Sequence, residues 1–223
     1  MKFAIVVFDN EWGVQVMGET PLLGHILSTA EKVQKVLVRE GHTVSLGLLS
    51  NVPFSKSYVK TNHENVEIIE IPDIFGEEDT TPDELAGLVA YNYPDFDALV
   101  QLTPSSPFLS SSTIVDSITD FANDLFDHSA VGVTVEIGYF WFAGVCNFID
   151  KDSRMIKRHE IPPIVKESEG LYITRIPFIL QNEIRHARGN TNIISLSVLE
   201  AFHIAYEEDL ELARTIYKGL DKS

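Results

Sequence analysis

A single cysteine, Cys146, stands in a chain of 223 residues. One thiol excludes an internal disulfide and any cysteine-built metal cluster, and its neighbours Phe142, Val145 and Phe148 assign it to core packing. Histidines occur without an i, i+4 pair or a His-x-Glu pattern, which removes the usual zinc signatures. No apolar run approaches the roughly eighteen residues that a membrane span takes. The opening run from Met1 to Phe8 has no longer signal-peptide core or cleavage pattern behind it. These absences predict a cytoplasmic protein with no membrane partner. Lysine and arginine are missing altogether from Thr61 to Asp150; residues 1–150 carry 22 Asp and Glu against 6 Lys and Arg, and residues 151–223 carry 11 of each. The whole net charge of −16 therefore lies in the first part, which excludes nucleic acid as a partner and bears on any polyphosphate ligand. Repeats, low-complexity tracts and flexible linkers are absent too, so residues 1–223 are expected to form a single domain.

What is present alternates between strand and helix signals. Residues 3–8 read as a buried strand. Thr20-Pro21 then opens a helix, with Thr20 as cap and Pro21 in the first position. Leu22, Leu23, Ile26, Leu27, Ala30, Val33, Val36 and Leu37 recur at helical spacing, and Gly41 closes that helix. Strands are expected at His42–Leu49 and Val66–Ile71, followed by an acidic loop with Gly76 and a helix from Thr81-Pro82-Asp83-Glu84 to about Tyr91. The strand Ala98–Thr103 leads into Pro104-Ser-Ser-Pro107. A helix capped within Ser110–Ser112 runs to Phe126, with Ile114, Val115, Ile118, Phe121, Ala122, Leu125 and Phe126 on its buried side. Ala130–Val135 is the next strand. The rhythm then breaks at Gly144–Ile149 and Met155–His159, which flank Asp150–Ser153 as a projecting hairpin. Leu171–Arg175 and Ile193–Leu199 read as β-rich, and Glu207–Gly219 as a closing helix. The pattern predicts an α/β fold, a mostly parallel sheet with helices on both faces and a small β-hairpin arm at about 139–168.

Several segments carry a resemblance. Leu102-Thr-Pro-Ser-Ser-Pro-Phe108 is similar to the "Leu-Gln-Pro-Thr-Ser-Pro-Leu" turn of acylneuraminate cytidylyltransferases of the CMP-sialic acid synthetase type. Glu19-Thr-Pro-Leu-Leu23 resembles their "Gly-Lys-Pro-Leu" helix start, and Ala130-Val-Gly-Val-Thr-Val-Glu136 their "Val-Val-Ser-Val-Thr-Glu". Lys157-Arg-His-Glu-Ile-Pro-Pro163, Glu169-Gly-Leu-Tyr-Ile173 and Glu207-Glu-Asp-Leu-Glu-Leu-Ala213 resemble later family segments in the same order. The resemblance covers nearly the whole chain. It implies a nucleotide-diphospho-sugar transferase-like fold, a homodimer, and CTP and a sugar acid as small-molecule ligands, with Mg²⁺ as the cofactor of an active enzyme. It also implies that Thr103, Ser105, Ser106, Arg158, His159 and Glu169 line the pocket.

The chain departs from the family where chemistry is concentrated. A triphosphate needs backbone amides, basic side chains and a hard cation. The loop after the first strand, Asp9-Asn-Glu-Trp-Gly-Val-Gln-Val-Met-Gly18, has two acids and no base, and Thr20 stands where the family has lysine. A carboxylate a few ångströms from a phosphate costs roughly 1–4 kcal/mol at the effective dielectric of a cleft. The family's "Asp-Ile-Asp-Thr", implicated in Mg²⁺ binding, reads His203-Ile-Ala-Tyr206, Asp209 is expected to stabilise the last helix's N-terminus, and Glu169 and Thr103 replace an asparagine and a glutamine.

Other residues leave alternatives open. Ser105 and Ser106 bind ligand or serve ordinary loop chemistry. Arg158 and His159 reach a sugar pocket or end a solvated hairpin strand. Asp9 is a metal ligand together with Glu11, or a surface turn acid. Tyr139-Phe-Trp-Phe142 is a stacking platform, or else core or subunit interface; Arg185-His-Ala-Arg-Gly189 faces an anion or forms a solvated loop. Two functions follow: a divergent cytidylyltransferase-like enzyme activating a nonulosonic-type sugar acid, or a catalytically inactive binding or regulatory protein on the same fold.

Overall fold

The apolar run after Met1 becomes β1 (Lys2–Phe8), whose residues from Phe3 onward are all buried. Alternate side chains serve opposite faces, as strand geometry requires. Phe3, Ile5 and Val7 join one core, and Ala4, Val6 and Phe8 join another on the far side of the sheet. A strand flanked by apolar layers on both faces reads as continuous hydrophobic sequence rather than alternation. The computed structural model describes residues 1–72, 75, 80–124, 126–148 and 154–220. Most of the acidic stretch around Gly76, Leu125, Ile149 and the expected turn at Asp150–Ser153 lie outside the described residues.

After β1 come the short pair β2 (Val16–Met17) and β3 (Thr20–Pro21), α1 (Leu22–Arg39), β4 (Thr43–Leu49), α2 (Pro53–Asn62), β5 (Val66–Ile69), α3 (Pro82–Asn92) and β6 (Ala98–Leu102). The second part adds α4 (Ser111–Asn123), β7 (Ser129–Glu136), β8 (Trp141–Phe142), β9 (Val145–Cys146), β10 (Ile164–Arg175), α5 (Ile176–Asn182), β11 (Thr191–Ser195) and α6 (Glu207–Leu220). The main sheet has seven strands in the order β11-β7-β10-β6-β1-β4-β5. Only β10 runs antiparallel to its neighbours. Packing of α1 and α4 fills one face, and α3 with α5 fills the other.

Local chemistry explains the element ends. His42 N–H bonds Leu37 C=O at 3.0 Å and Gly41 N–H bonds Val38 C=O at 3.1 Å, with Gly41 at φ +89°, a Schellman close to α1. Thr81 caps α3 in a capping box with Glu84, whose carboxyl is held below its ordinary value by the Thr81 backbone and hydroxyl. Ser110 Oγ accepts from Thr113 N–H at 3.1 Å to begin α4.

Several expectations are corrected. Thr20 does not cap α1: Pro21 occupies that position without a side-chain cap, and Thr20 pairs with Met17 in the short hairpin. Phe126 is exposed, because α4 ends at Asn123 and the Asp124 carboxylate captures the Phe126 N–H at 2.8 Å. The described hairpin pairs Trp141–Phe142 with Val145–Cys146 around Ala143 and Gly144, both at positive φ as a two-residue turn needs. Residues 158–160 of the expected second strand form a 3₁₀ turn instead. Cys146 is buried as expected, yet Trp141 and Phe142 are 66% and 78% exposed, so this aromatic run is not core in the single chain. Helices α2 and α5 have no counterpart in the sequence reading.

Leu27 lies at 1% exposure in the core between α1 and the sheet. Leu27→Ala is expected to lower the unfolding free energy by about 2–5 kcal/mol through lost burial and the cavity left behind. Denaturant titration followed by circular dichroism measures it.

Candidate functional site at the carboxyl edge of the sheet

Loops leaving β1 and β6 meet at the carboxyl edge, where open α/β sheets place ligands. Asp9 ends β1. Its N–H bonds Leu49 C=O at 3.0 Å, and its Oδ2 accepts from Ser50 Oγ at 2.6 Å. Asp9 Oδ1 is buried without a close hydrogen bond among the described residues. Asp9 is half-buried rather than a surface turn acid, and burial raises the carboxyl's pKa despite the Ser50 and Ser55 hydroxyls. The next residue holds the loops together: Asn10 Nδ2 donates to Thr103 Oγ1 at 3.2 Å and to Ser105 Oγ at 2.6 Å, while its Oδ1 accepts from Trp12 N–H at 3.1 Å. Asn10 was not singled out from the sequence. Its only signal there is a turn-forming amide directly after a buried strand.

Thr103, Ser105 and Ser106 come together at this edge and are buried. Ser106 packs under Gly170, where a Cβ would stand 2.7 Å from Ser106 Oγ. That contact is made by an irregularity in β10, whose register against β7 shifts between Glu167 and Tyr172. Glu169 sits in this bulge at φ +60°, a conformation in which asparagine is more at ease, and it projects to solvent. His203 completes the group, with Nδ1 3.4 Å from Ser106 Oγ and Nε2 3.7 Å from Glu169 Oε2. Arg158 and His159 are not brought into this cluster by any described contact. Both lie exposed on the 3₁₀ turn, with His159 Nε2 3.8 Å from Glu160.

The loop after β1 is closed on itself. Leu22 N–H, the first amide of α1, bonds Gln15 C=O at 2.8 Å, and Leu23 N–H bonds Gly13 C=O at 3.1 Å. These are the amides that a helix start would otherwise offer to an anion. Trp12 and Met17 belong to a small apolar cluster with Leu22, Ile204, Leu210 and Tyr217. Arg214 Nε donates to Val16 C=O at 2.9 Å, and His25 Nε2 lies 2.9 Å from Met17 C=O. The hairpin is thereby clamped between α1 and α6.

The donor set of residues 203–209 does not fit Mg²⁺, which prefers carboxylate and water oxygens. Ala205 has no side-chain ligand atom, and His203 offers nitrogen already engaged with Ser106 and Glu169. Asp209 accepts from Ala205 N–H at 3.0 Å and Tyr206 N–H at 2.9 Å, so it serves the start of α6 as expected. Among the described residues, no group of three or more His, Cys, Asp or Glu side chains could hold a metal ion.

Arg185 is not in a solvated loop. Its guanidinium lies 4.0 Å from the centre of the Tyr172 ring and donates to Gln101 Oε1 at 3.3 Å. Asp83 and Glu167 each stand 3.9 Å away, and the Tyr172 hydroxyl donates to Glu167. Burial and the Glu167 carboxylate push the Tyr172 phenol upward. This network fixes the outer face of the bulge.

No protein-family profile matches the chain, and no curated protein matches it in sequence. Solved structures do match. A 4-diphosphocytidyl-2C-methyl-D-erythritol synthase from Anaerococcus prevotii superposes with a TM-score of 0.69 over 97% of this chain and 96% of its own, at 11% identity. A CMP:2-keto-3-deoxy-manno-octonic acid synthetase complexed with CTP gives 0.65 over 97% and 98%, also at 11% identity. The fold is that of the cytidylyltransferases. A second 4-diphosphocytidyl-2C-methyl-D-erythritol synthase gives 0.64 over 96% and 98% at 11% identity. Likeness at this identity establishes the cytidylyltransferase fold and leaves its chemistry to the residues of this chain.

Asp9→Asn removes a desolvated charge while keeping an acceptor for Ser50. Because folding raises the Asp9 pKa, the ionised group opposes folding once the pH exceeds its unfolded value, and this penalty vanishes below that value. The variant is therefore expected to melt a few degrees above the parent at pH 7 and level with it near pH 3.5, within roughly half a unit of the free carboxyl value. Thermal melts at the two pH values check this.

Proposed function

We propose that this chain is a cytoplasmic protein that binds a small ligand on a cytidylyltransferase fold, without the triphosphate and Mg²⁺ machinery of CTP transfer. The observation that carries this reading is the self-occupied start of α1, whose leading amides are bonded by Gln15 and Gly13 carbonyls. A triphosphate would have to displace the clamped hairpin, and it would meet Asp9 and Glu11 rather than lysine or arginine. Each unscreened carboxylate–phosphate approach costs roughly 1–4 kcal/mol. The polar groups at the edge are hydroxyls, an amide, an imidazole and carboxylates. These suit an uncharged polyhydroxylated ligand better than a polyanion.

A second reading is supported by the likeness in fold to a synthetase complexed with CTP. The chain would then activate a nonulosonic-type sugar acid. The sugar hydroxyl would attack the α-phosphate of CTP and release pyrophosphate, with Thr103, Ser105, Ser106, Arg158, His159 and Glu169 around the ligands. Calorimetric titration separates the readings. The first expects no heat up to millimolar CTP with or without excess Mg²⁺; micromolar, Mg²⁺-dependent binding would overturn it, and pyrophosphate release with a sugar acid would establish the second.

We also infer that two copies associate through the arm at about 139–168. Tyr139, Trp141, Phe142, Val145 and Met155 are exposed there, and Val165 pairs with Val135 to continue the apolar surface onto the sheet. Clusters of exposed aromatics on a two-stranded hairpin gain stability when covered. Light scattering of the parent should give the dimer mass, and the double variant Trp141→Ser, Phe142→Ser the monomer mass with an unchanged far-ultraviolet spectrum. A monomeric parent would refute the association.

A further inference from the structure

His203 links segments that are distant in sequence. Its Nδ1 faces Ser106 Oγ in the loop after β6, and its Nε2 faces Glu169 in the β10 bulge. The adjoining Ile204 N–H bonds Ser105 C=O at 2.8 Å, and Ile204 is fully buried in the cluster that holds the β1 loop. The imidazole therefore stands where the loops of the carboxyl edge are joined. Its two nitrogens meet different surroundings. Ser106 is fully buried, whereas the Glu169 side chain is 68% exposed.

We propose that His203 is a proton-operated latch: neutral, it ties the β6 loop to the segment entering α6, and protonated, it moves toward Glu169 and frees that loop. The neutral form with its proton on Nε2 satisfies both sides. The Ser106 hydroxyl donates to Nδ1, and Nε2–H points at the Glu169 carboxylate. An imidazolium has no acceptor. Protonating Nδ1 leaves the Ser106 hydroxyl proton without that acceptor in a buried position, a loss that such sites tolerate poorly. It simultaneously strengthens the attraction to Glu169 at the solvent side.

The charged groups around His203 are Glu169 and Lys166 from β10 and Asp209 from α6. Burial holds the imidazole below its ordinary value; the two carboxylates pull the other way, and Lys166 reinforces the burial. The folded protein thus resists protonation of His203, and stability contributed by the neutral latch is lost as the pH falls below the unfolded histidine value. This inference is independent of which ligand the edge binds.

The test is nuclear magnetic resonance of the full chain with labelled histidine, combined with amide exchange corrected for its intrinsic pH dependence. His203 should titrate below about 6.5. Exchange in residues 103–109 and 203–206 should accelerate as the pH falls from the unfolded histidine value to the midpoint, by up to about tenfold per unit of pH, and level off below it, while the central strand β1 stays protected. Glu169→Gln, an exposed change, should move the midpoint down and hold the latch closed to lower pH. Ser106→Ala should move the midpoint up. Titration of His203 with no change in exchange, absence of titration above pH 5, or a midpoint indifferent to Glu169→Gln would each overturn the latch.

Discussion

The burial of β1 on both faces governs where everything else can stand. With Phe3, Ile5 and Val7 locked into one core and Ala4, Val6 and Phe8 into the other, the strand has a fixed register against β4 and β6. Slipping it by a single residue would exchange the side chains between faces. That register delivers Asp9 and Asn10 to the end of β6, so Asn10 can bridge Thr103 and Ser105. The candidate site follows from the sheet's centre rather than from its loops alone.

The antiparallel strand β10 adds the second constraint. The bulge between Glu167 and Tyr172 holds Gly170 against Ser106, and only a residue without a side chain fits so close to that hydroxyl. Glu169 then projects outward toward His203, while Tyr172 on the opposite face supports Arg185. One irregularity thereby builds both sides of the edge. The fold shared with the synthase and the synthetase rests on this frame, and its carboxyl edge carries a hairpin bonded to the α1 amides, an imidazole and a helix-capping carboxylate.

Elements with a long apolar stripe were legible in the sequence: α1, α6, β1 and β6 stand within a few residues of their expected bounds. Helix α2 escaped because it buries only Ser55 and Val59, which leaves no stripe to read. Helix α5 escaped because its seven residues follow β10 without a turn and are too few to show a helical stripe. The overextension of α4 to Phe126 has a local cause, since apolar spacing continued past the point where Asp124 diverts the backbone. Of the candidate residues, Thr103, Ser105, Ser106 and Glu169 meet at one edge, while Arg158 and His159 stand apart on a turn that spacing alone read as strand.

Sequence by itself determined the alternation of strand and helix, the acidic balance of the first part, the lack of basic residues in the β1 loop and the role of Asp209 at the start of α6. These are properties of spacing, composition and neighbours close in the chain. Tertiary structure alone decided that Asn10 bridges two hydroxyls, that the α1 amides are bonded by Gly13 and Gln15, and that His203 stands between Ser106 and Glu169. The Asn10 and His203 contacts join residues up to 97 positions apart, and the α1 amides depend on a loop conformation held by α6. Their occurrence depends on strand order and on a bulge, which local propensity does not encode.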